Sequence, residues 1–473
     1  MAGGFRRRFI GDRAFYKMVL VLVIPLIIQQ GITNFVSLLD NVMVGRLGTE
    51  SISGVAIVNQ LIFVFNLTVF GALSGASIYG AQYAGVNDHD GVRFCLRFKL
   101  LMGTGITAIA LLIFLLFGDR LIALYLNDSG NAAALALTQS EARGYMGIAL
   151  FGLFPFMVSQ CLSGSLRETG ETFAPMVTSA ASVVVNLVLN YLLIYGKFGA
   201  PEMGVRGAAL ATIIARFFEM SFLLVYALRR TERYPFIRGA FRSLYVPGSL
   251  MRRISITGLP LLLNELFWST GTAAINQCYS VRGLATVAAV NITSTAWTLF
   301  AVVMFSMGSA ISILTGQKLG ADDIEGAKDV DNKLLCFTLF LHIGIGLIVV
   351  AVSGLIPMIY NVEQEVRLLT KGMLVAAGLA LPLHAMAHAS YFTIRAGGRT
   401  LITLLFDSVY TWCVPLPLAF ILCRYTALPI VAIYAILQAS DFLKFGLALP
   451  ILIRGSWARN VIHATKTSAQ AAD

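Results

Sequence analysis

Charge is scarce in this 473-residue sequence. Asp, Glu, Lys and Arg together make up 12% of it, about half of the roughly 25% of a soluble globular domain. With 57% hydrophobic residues and a mean hydropathy of +0.78, a water-soluble fold is excluded. The six cysteines (Cys95, Cys161, Cys278, Cys336, Cys413 and Cys423) lie in or beside apolar stretches and form no Cys-x-x-Cys pair. They read as packed thiols rather than metal or redox centres, and no cofactor is expected. A nucleophile triad, a metal-ligand cluster and a phosphate-cradling motif are also missing, which argues against an enzyme. No cleavable leader is expected. The apolar run after Lys17 is too long for a signal h-region and reaches Asp40 without a small-residue cleavage pattern.

Long apolar runs are abundant. Stretches of about 20 residues, each able to cross a hydrocarbon core roughly 30 Å thick as a helix, begin near 14, 52, 94, 135, 172, 205, 254, 286, 332, 367, 401 and 428. Twelve transmembrane helices are therefore expected. The formal charge of +11 does not mark a nucleic-acid partner, because the basic residues sit in short segments between the spans. One set of segments holds Arg6, Arg7, Arg8, Arg13, Lys17, Arg93, Arg97, Lys99, Arg167, Arg395, Arg399, Arg454, Arg459 and Lys466. The connection between spans six and seven adds Arg229, Arg230, Arg233, Arg238, Arg242, Arg252 and Arg253, while the opposite side holds scattered ones such as Arg46 and Lys197. The positive-inside bias puts both termini in the cytoplasm of a multi-pass protein of the cell membrane.

The sequence repeats itself. One constant, ungapped offset pairs Pro25 with Pro260, Asn41 with Asn276, Gln82 with Gln317, Gly85 with Gly320, and Asp88 with Asp323. A second match, slightly shifted, sets the segment from Ser165 to Thr172 against that from Thr393 to Thr400. The expected organisation is a six-helix bundle over residues 1–230, a basic cytoplasmic linker over 231–253, and a second six-helix bundle over 254–473. Repeats with an even number of spans enter the membrane in one orientation, so a pseudo-two-fold along the membrane normal and a substrate site between the halves are expected.

Ionisable groups inside a span cost roughly 2.5–3.5 kcal/mol near its centre on insertion scales, so each carries information. In span one Gln29, Thr33, Ser37 and Asp40 share a face at helical spacing, flanked by Gln30 and Asn41. Span seven has Asn264, Glu265, Trp268, Thr272 and Asn276, span five Ser182, Asn186 and Asn190, and span eleven Thr403, Asp407, Tyr410 and Thr411. Asp40 reads either as a coupling carboxylate or as a helix-end acid partnered by Arg46. Glu265 reads as a coupling acid or an interhelical contact, and Asp407 as a site residue or a partner of Arg399. His384 and His388, one turn apart, could line a substrate or pack neutral. Arg216 with Glu219 and Asp441 with Lys444, each three apart on one helix face, are expected to neutralise each other locally. A carboxyl in such a place can hold a proton or release it to pair with an organic cation or a sodium ion.

Three stretches carry a family resemblance: Asp40 to Gly48; Asn186 to Gly196, continued by Gly204 to Thr212; and Pro260 to Trp268, followed by Gln317-x-x-Gly320. Over essentially the whole chain the sequence resembles the multidrug and toxic compound extrusion (MATE) family. The resemblance implies an all-α membrane fold of two pseudo-symmetric six-helix bundles, and export of amphipathic organic cations in exchange for protons or sodium. Asp40 and Glu265 match acids the family uses in ion coupling, and Asp407 matches an acid found in part of it. Asn190 stands where some members have Asp. Span ten has no acid past Arg367 where a sodium-coupled branch has one, only His384 and His388. Protons are therefore the expected coupling ion, and the expected cargoes are small organic cations handled by a monomer. A lipid or lipid-linked precursor flippase of the same superfamily is the alternative.

Overall fold

The computed structural model describes residues 9–126 and 132–463, without the side chains of residues 36–38 and 132. Arg6, Arg7, Arg8, Lys466 and the side chain of Ser37 lie outside the described residues. Twelve long helices account for the spans: α1 Arg13–Gly45, α2 Thr49–Gly85, α3 His89–Ala123, α4 Ala133–Glu168, α5 Phe173–Tyr195, α6 Val205–Arg229, α7 Gly248–Ser280, α8 Leu284–Gly320, α9 Ile324–Val352, α10 Gln364–Ala396, α11 Thr400–Tyr425 and α12 Ile430–Ile453. Helices α2, α3, α7 and α9 begin before their apolar cores because polar turns extend them. At α9 the Asp323 carboxylate accepts from the Gly326 backbone N–H at 2.9 Å and caps the first turn. Among the described residues, eleven of these twelve are long and apolar enough to cross a membrane. Helix α7 is the exception by composition, since Arg252, Arg253, Asn264, Glu265, Thr272 and Asn276 dilute its apolar residues.

The chain forms two compact units. One comprises the described residues within 1–27, 81–88 and 252–473, and the other those within 28–80 and 89–251. In the first unit Val19, Leu22, Val23 and Leu26 of α1 join a core with Met307 and Ile311 of α8, Leu334 of α9, Phe392 of α10, Phe406 of α11 and Ala448 of α12. The end of α2 belongs to the same unit. A Cβ on Gly85 would strike the backbone carbonyl of Gln317, and a Cβ on Gly320 would strike that of Gln82. The residues paired by the repeat thus make reciprocal close crossings. Gly85→Ala and Gly320→Ala are each expected to cost about 1–3 kcal/mol through overpacking, whereas Gly105→Ala, which meets nothing within 4 Å, should be neutral or better. Thermal unfolding in detergent separates the two classes, and equal midpoints for all three variants would refute the crossing.

The segments after the sixth helix of each repeat fold back onto helix ends. Arg97 donates to the carbonyls of Gly239 at 2.9 Å, Ala240 at 3.0 Å and Tyr245 at 3.2 Å, and Arg93 to those of Pro235 and Phe236. The stretch from 231 to 247 is therefore a packed strap with Phe236, Ile237 and Ala240 buried, and the last residues of the expected linker, 248–253, are the first turns of α7. Tyr234 donates to Glu171 at 2.5 Å, and burial together with that contact pushes its phenol well above the ordinary range. After α12, Trp457 and Ile462 are buried. The Gln82 amide holds that stretch, donating to the carbonyls of Ala396 and Arg459 at 3.1 Å each and accepting from the Val461 N–H at 2.8 Å.

Candidate substrate and ion-coupling sites

In the second unit the polar face of α1 meets α5 and α6. Asn190 Nδ2 donates to Asp40 Oδ1 at 2.5 Å. Asn186, with its amide oriented to satisfy both ends, donates to Asp40 Oδ1 at 3.1 Å and Oδ2 at 3.3 Å and accepts from Thr212 Oγ1 at 3.3 Å. Asparagines 186 and 190 are one turn apart, so helical periodicity alone puts both amides on one side of α5. Asp40 forms no ion pair with Arg46, which is exposed. Gln30 is exposed, and it is Gln29 that accepts from Arg167 at 2.7 Å.

In the first unit a larger network spans α7, α10, α11 and α12. Residues Leu405–Val409 form a π-helical turn inside α11, a local widening common at functional sites, and it carries Asp407 and Ser408. Asn264 Nδ2 donates to Asp407 Oδ2 at 2.9 Å. Ser408 Oγ donates back to the Asn264 side-chain oxygen at 2.7 Å and to its backbone carbonyl at 2.8 Å. Lys444 Nζ donates to Asp407 Oδ1 at 2.5 Å, and His384 Nδ1 is paired with Asp441. Tyr410 is buried and donates to the Ser440 carbonyl at 2.5 Å. Glu265, half-buried, accepts no hydrogen bond and makes no ion pair among the described residues, with Arg395 and Asp407 the charges that act on it. Trp268 is half-buried one turn on, and its side chain joins neither cluster by a hydrogen bond.

Several expected pairings are corrected by this geometry. Asp441 and Lys444 do not neutralise each other but pair with His384 and Asp407 on other helices. Arg216 donates to the Gly152 carbonyl at 3.4 Å and lies over the Phe156 ring, while Glu219 accepts from Ser179 at 2.9 Å. Spacing of three makes a same-face contact available, but helix rotation aims these side chains at neighbouring helices. Asp407 pairs with Lys444 rather than Arg399. His388 is separated in role from His384, packed between the rings of Phe305 and Phe392 at centroid distances of 5.1 and 4.9 Å. The sequence reading missed Ser408 and Thr212 as supporting groups. Ser408 follows Asp407, which it singled out, and Thr212 closes one of the recognised motifs.

Twelve helices with carboxylates and amides clustered between them define a polytopic membrane transporter. The MatE family profile matches residues 25–192 and again 260–421, one match per repeat. The chain belongs to the MATE family of multidrug efflux transporters. A probable multidrug resistance protein NorM of Thermotoga maritima is 24% identical over 94% of both chains. The multidrug resistance protein MdtK of Pectobacterium atrosepticum is 26% identical over 75% of this chain and 80% of its own. Among solved structures, an outward-facing multidrug resistance MATE family transporter has a similar fold, with a TM-score of 0.83 at 18% identity over 95% of this chain and 98% of that one. A MOP superfamily transporter from Pyrococcus furiosus, whose binding pocket is described as of reverse polarity, gives a TM-score of 0.81 at 20% identity over 95% and 98%. The relatives are transporters and not enzymes. The protein handles small molecules in a membrane that it crosses many times.

Proposed function

We propose that the protein exports amphipathic organic cations in exchange for protons, with Asp40 and Glu265 as the exchanging carboxylates. The observation that supports this most directly is the contrast among the intramembrane acids singled out above. Asp407 carries a lysine, whereas Asp40 is held by neutral amides and Glu265 has no ion-pair partner among the described residues. A carboxyl without a cationic partner can take a proton or a cation in turn, so cargo and driving ion compete for one place. If one monovalent cation leaves as one proton enters, no net charge crosses, and the voltage contribution of about 2.3 kcal/mol per 100 mV cancels. The proton gradient alone then drives export. The pocket of reverse polarity described for the Pyrococcus furiosus protein favours local charge, rather than fold, as the guide to cargo. The multidrug resistance relatives give no support to the flippase reading.

On this reading the protein works as a monomer in the cell membrane. Its termini lie in the cytoplasm, an orientation that the basic residues Arg93, Arg97, Lys99, Arg167, Arg395 and Arg399 at one set of helix ends support. The test is ethidium efflux from proteoliposomes under a pH gradient and, separately, a sodium gradient. Export driven by the pH gradient is expected. Export driven by sodium alone would overturn proton coupling, and none under either gradient would overturn organic-cation export.

A further inference from the structure

Each repeat builds an Asp–Asn contact between its first and fifth helices, with the roles exchanged and at different positions along the repeat. In one, Asp40 comes from the first helix of the repeat and Asn190 from the fifth, at 2.5 Å. In the other, Asn264 comes from the first helix and Asp407 from the fifth, at 2.9 Å. The difference lies in what the sixth helix adds. Among the described residues, helix α6 brings the Thr212 hydroxyl, through Asn186. Helix α12 brings the Lys444 ammonium, 2.5 Å from the Asp407 oxygen that Asn264 leaves free. Both carboxylate oxygens are thus taken. Lys444 also lies over the Phe406 ring at 5.5 Å, a face suited to any cation. Asp407 and Lys444 retain 17% and 13% side-chain exposure, so the pair is shielded but not sealed.

We propose that Lys444 is a built-in occupant of a second cation site, a specificity-determining residue whose tethered ammonium withholds Asp407 from organic cations. The carboxylate, amide and aromatic face together are the recognition elements for a primary ammonium, and the protein supplies its own. This inference rests on the organic-cation reading above. Deletion of the tether should vacate a cavity shaped for the missing atoms. Beyond Cβ, the lysine side chain is propylammonium.

The experiment measures propylammonium binding to full-length protein in detergent by its thermal shift, since a ligand that binds only the folded state raises the unfolding midpoint. Lys444→Ala is expected to bind propylammonium at least tenfold more tightly than the wild type does. The gain should vanish in Asp407→Asn/Lys444→Ala, and 1-propanol should produce no shift in any variant. An unchanged response in Lys444→Ala, or an equal gain in the double variant, would overturn the proposal. Lys444→Met, which keeps an unbranched chain as far as Cε and removes the terminal ammonium, guards against misfolding of the alanine variant. Its ethidium export should be inhibited by methylammonium at least tenfold more potently than that of the wild type, and equal inhibition would overturn the proposal. Wild-type ethidium export under a pH gradient separates the two readings. If it is present while the lysine variants gain nothing, only the built-in occupant fails. If it is absent, organic-cation export fails and this inference falls with it.

Discussion

Lys99→Ala is expected to destabilise its unit by about 3–5 kcal/mol, the range for breaking one side of a buried ion pair. Lys99 and Glu168 are 1% and 5% exposed at the side chain and 2.5 Å apart, and Lys99 also donates to Ser165 at 3.1 Å. Removing the ammonium takes the lysine charge from a carboxylate that is itself buried. The loss would therefore reflect the cost of a buried charge more than a lost attraction. Lys99→Met/Glu168→Gln, which removes both charges at similar volume, should recover most of the stability, because a buried pair contributes little net energy against a well-packed apolar substitute. Thermal unfolding in detergent reads both variants. A loss below about 1 kcal/mol for Lys99→Ala would place the pair with solvated surface bridges.

Asp40→Asn and Glu265→Gln are expected to leave folding intact and each reduce pH-driven ethidium export by at least about tenfold, equivalent to about 1.4 kcal/mol of lost coupling. Asn at position 40 can still accept from Asn190, and Gln at 265 breaks no hydrogen bond or ion pair among the described residues, since Glu265 makes neither there. The changes remove proton exchange while keeping shape. Efflux under a pH gradient, normalised to protein reconstituted, is the measurement. Full export in both variants would remove the two acids from the coupling cycle.

Much of the architecture was legible before any coordinates. Helices start near where the apolar runs predict, because a bilayer core imposes length and composition on every span. The repeat also anticipated contacts it could not describe. Gln82 with Gln317 and Gly85 with Gly320 were matched as letters, and they turn out to meet across one close crossing. The residues 231–253 read as a basic linker, yet Arg93 and Arg97 of α3 hold residues 235–245 of it as a strap by donating to backbone carbonyls, and 248–253 are helical. Carbonyls are present at every residue, so nothing in the sequence marks which of them a guanidinium will reach.

The candidate sites divide in the same way. Sequence alone determined which helices carry polar faces, since a polar group in lipid must find protein or water, and helical spacing put Asn186 and Asn190 together. Only the tertiary structure decided who pairs with whom. Lys444 could have met Asp441 on its own helix but reaches Asp407 on α11, and His384 takes Asp441 instead. Pairing follows the rotation of each helix against its neighbours. That rotation is set by side-chain packing along the whole contact, a property of many residues far apart in the chain rather than of any spacing within one helix.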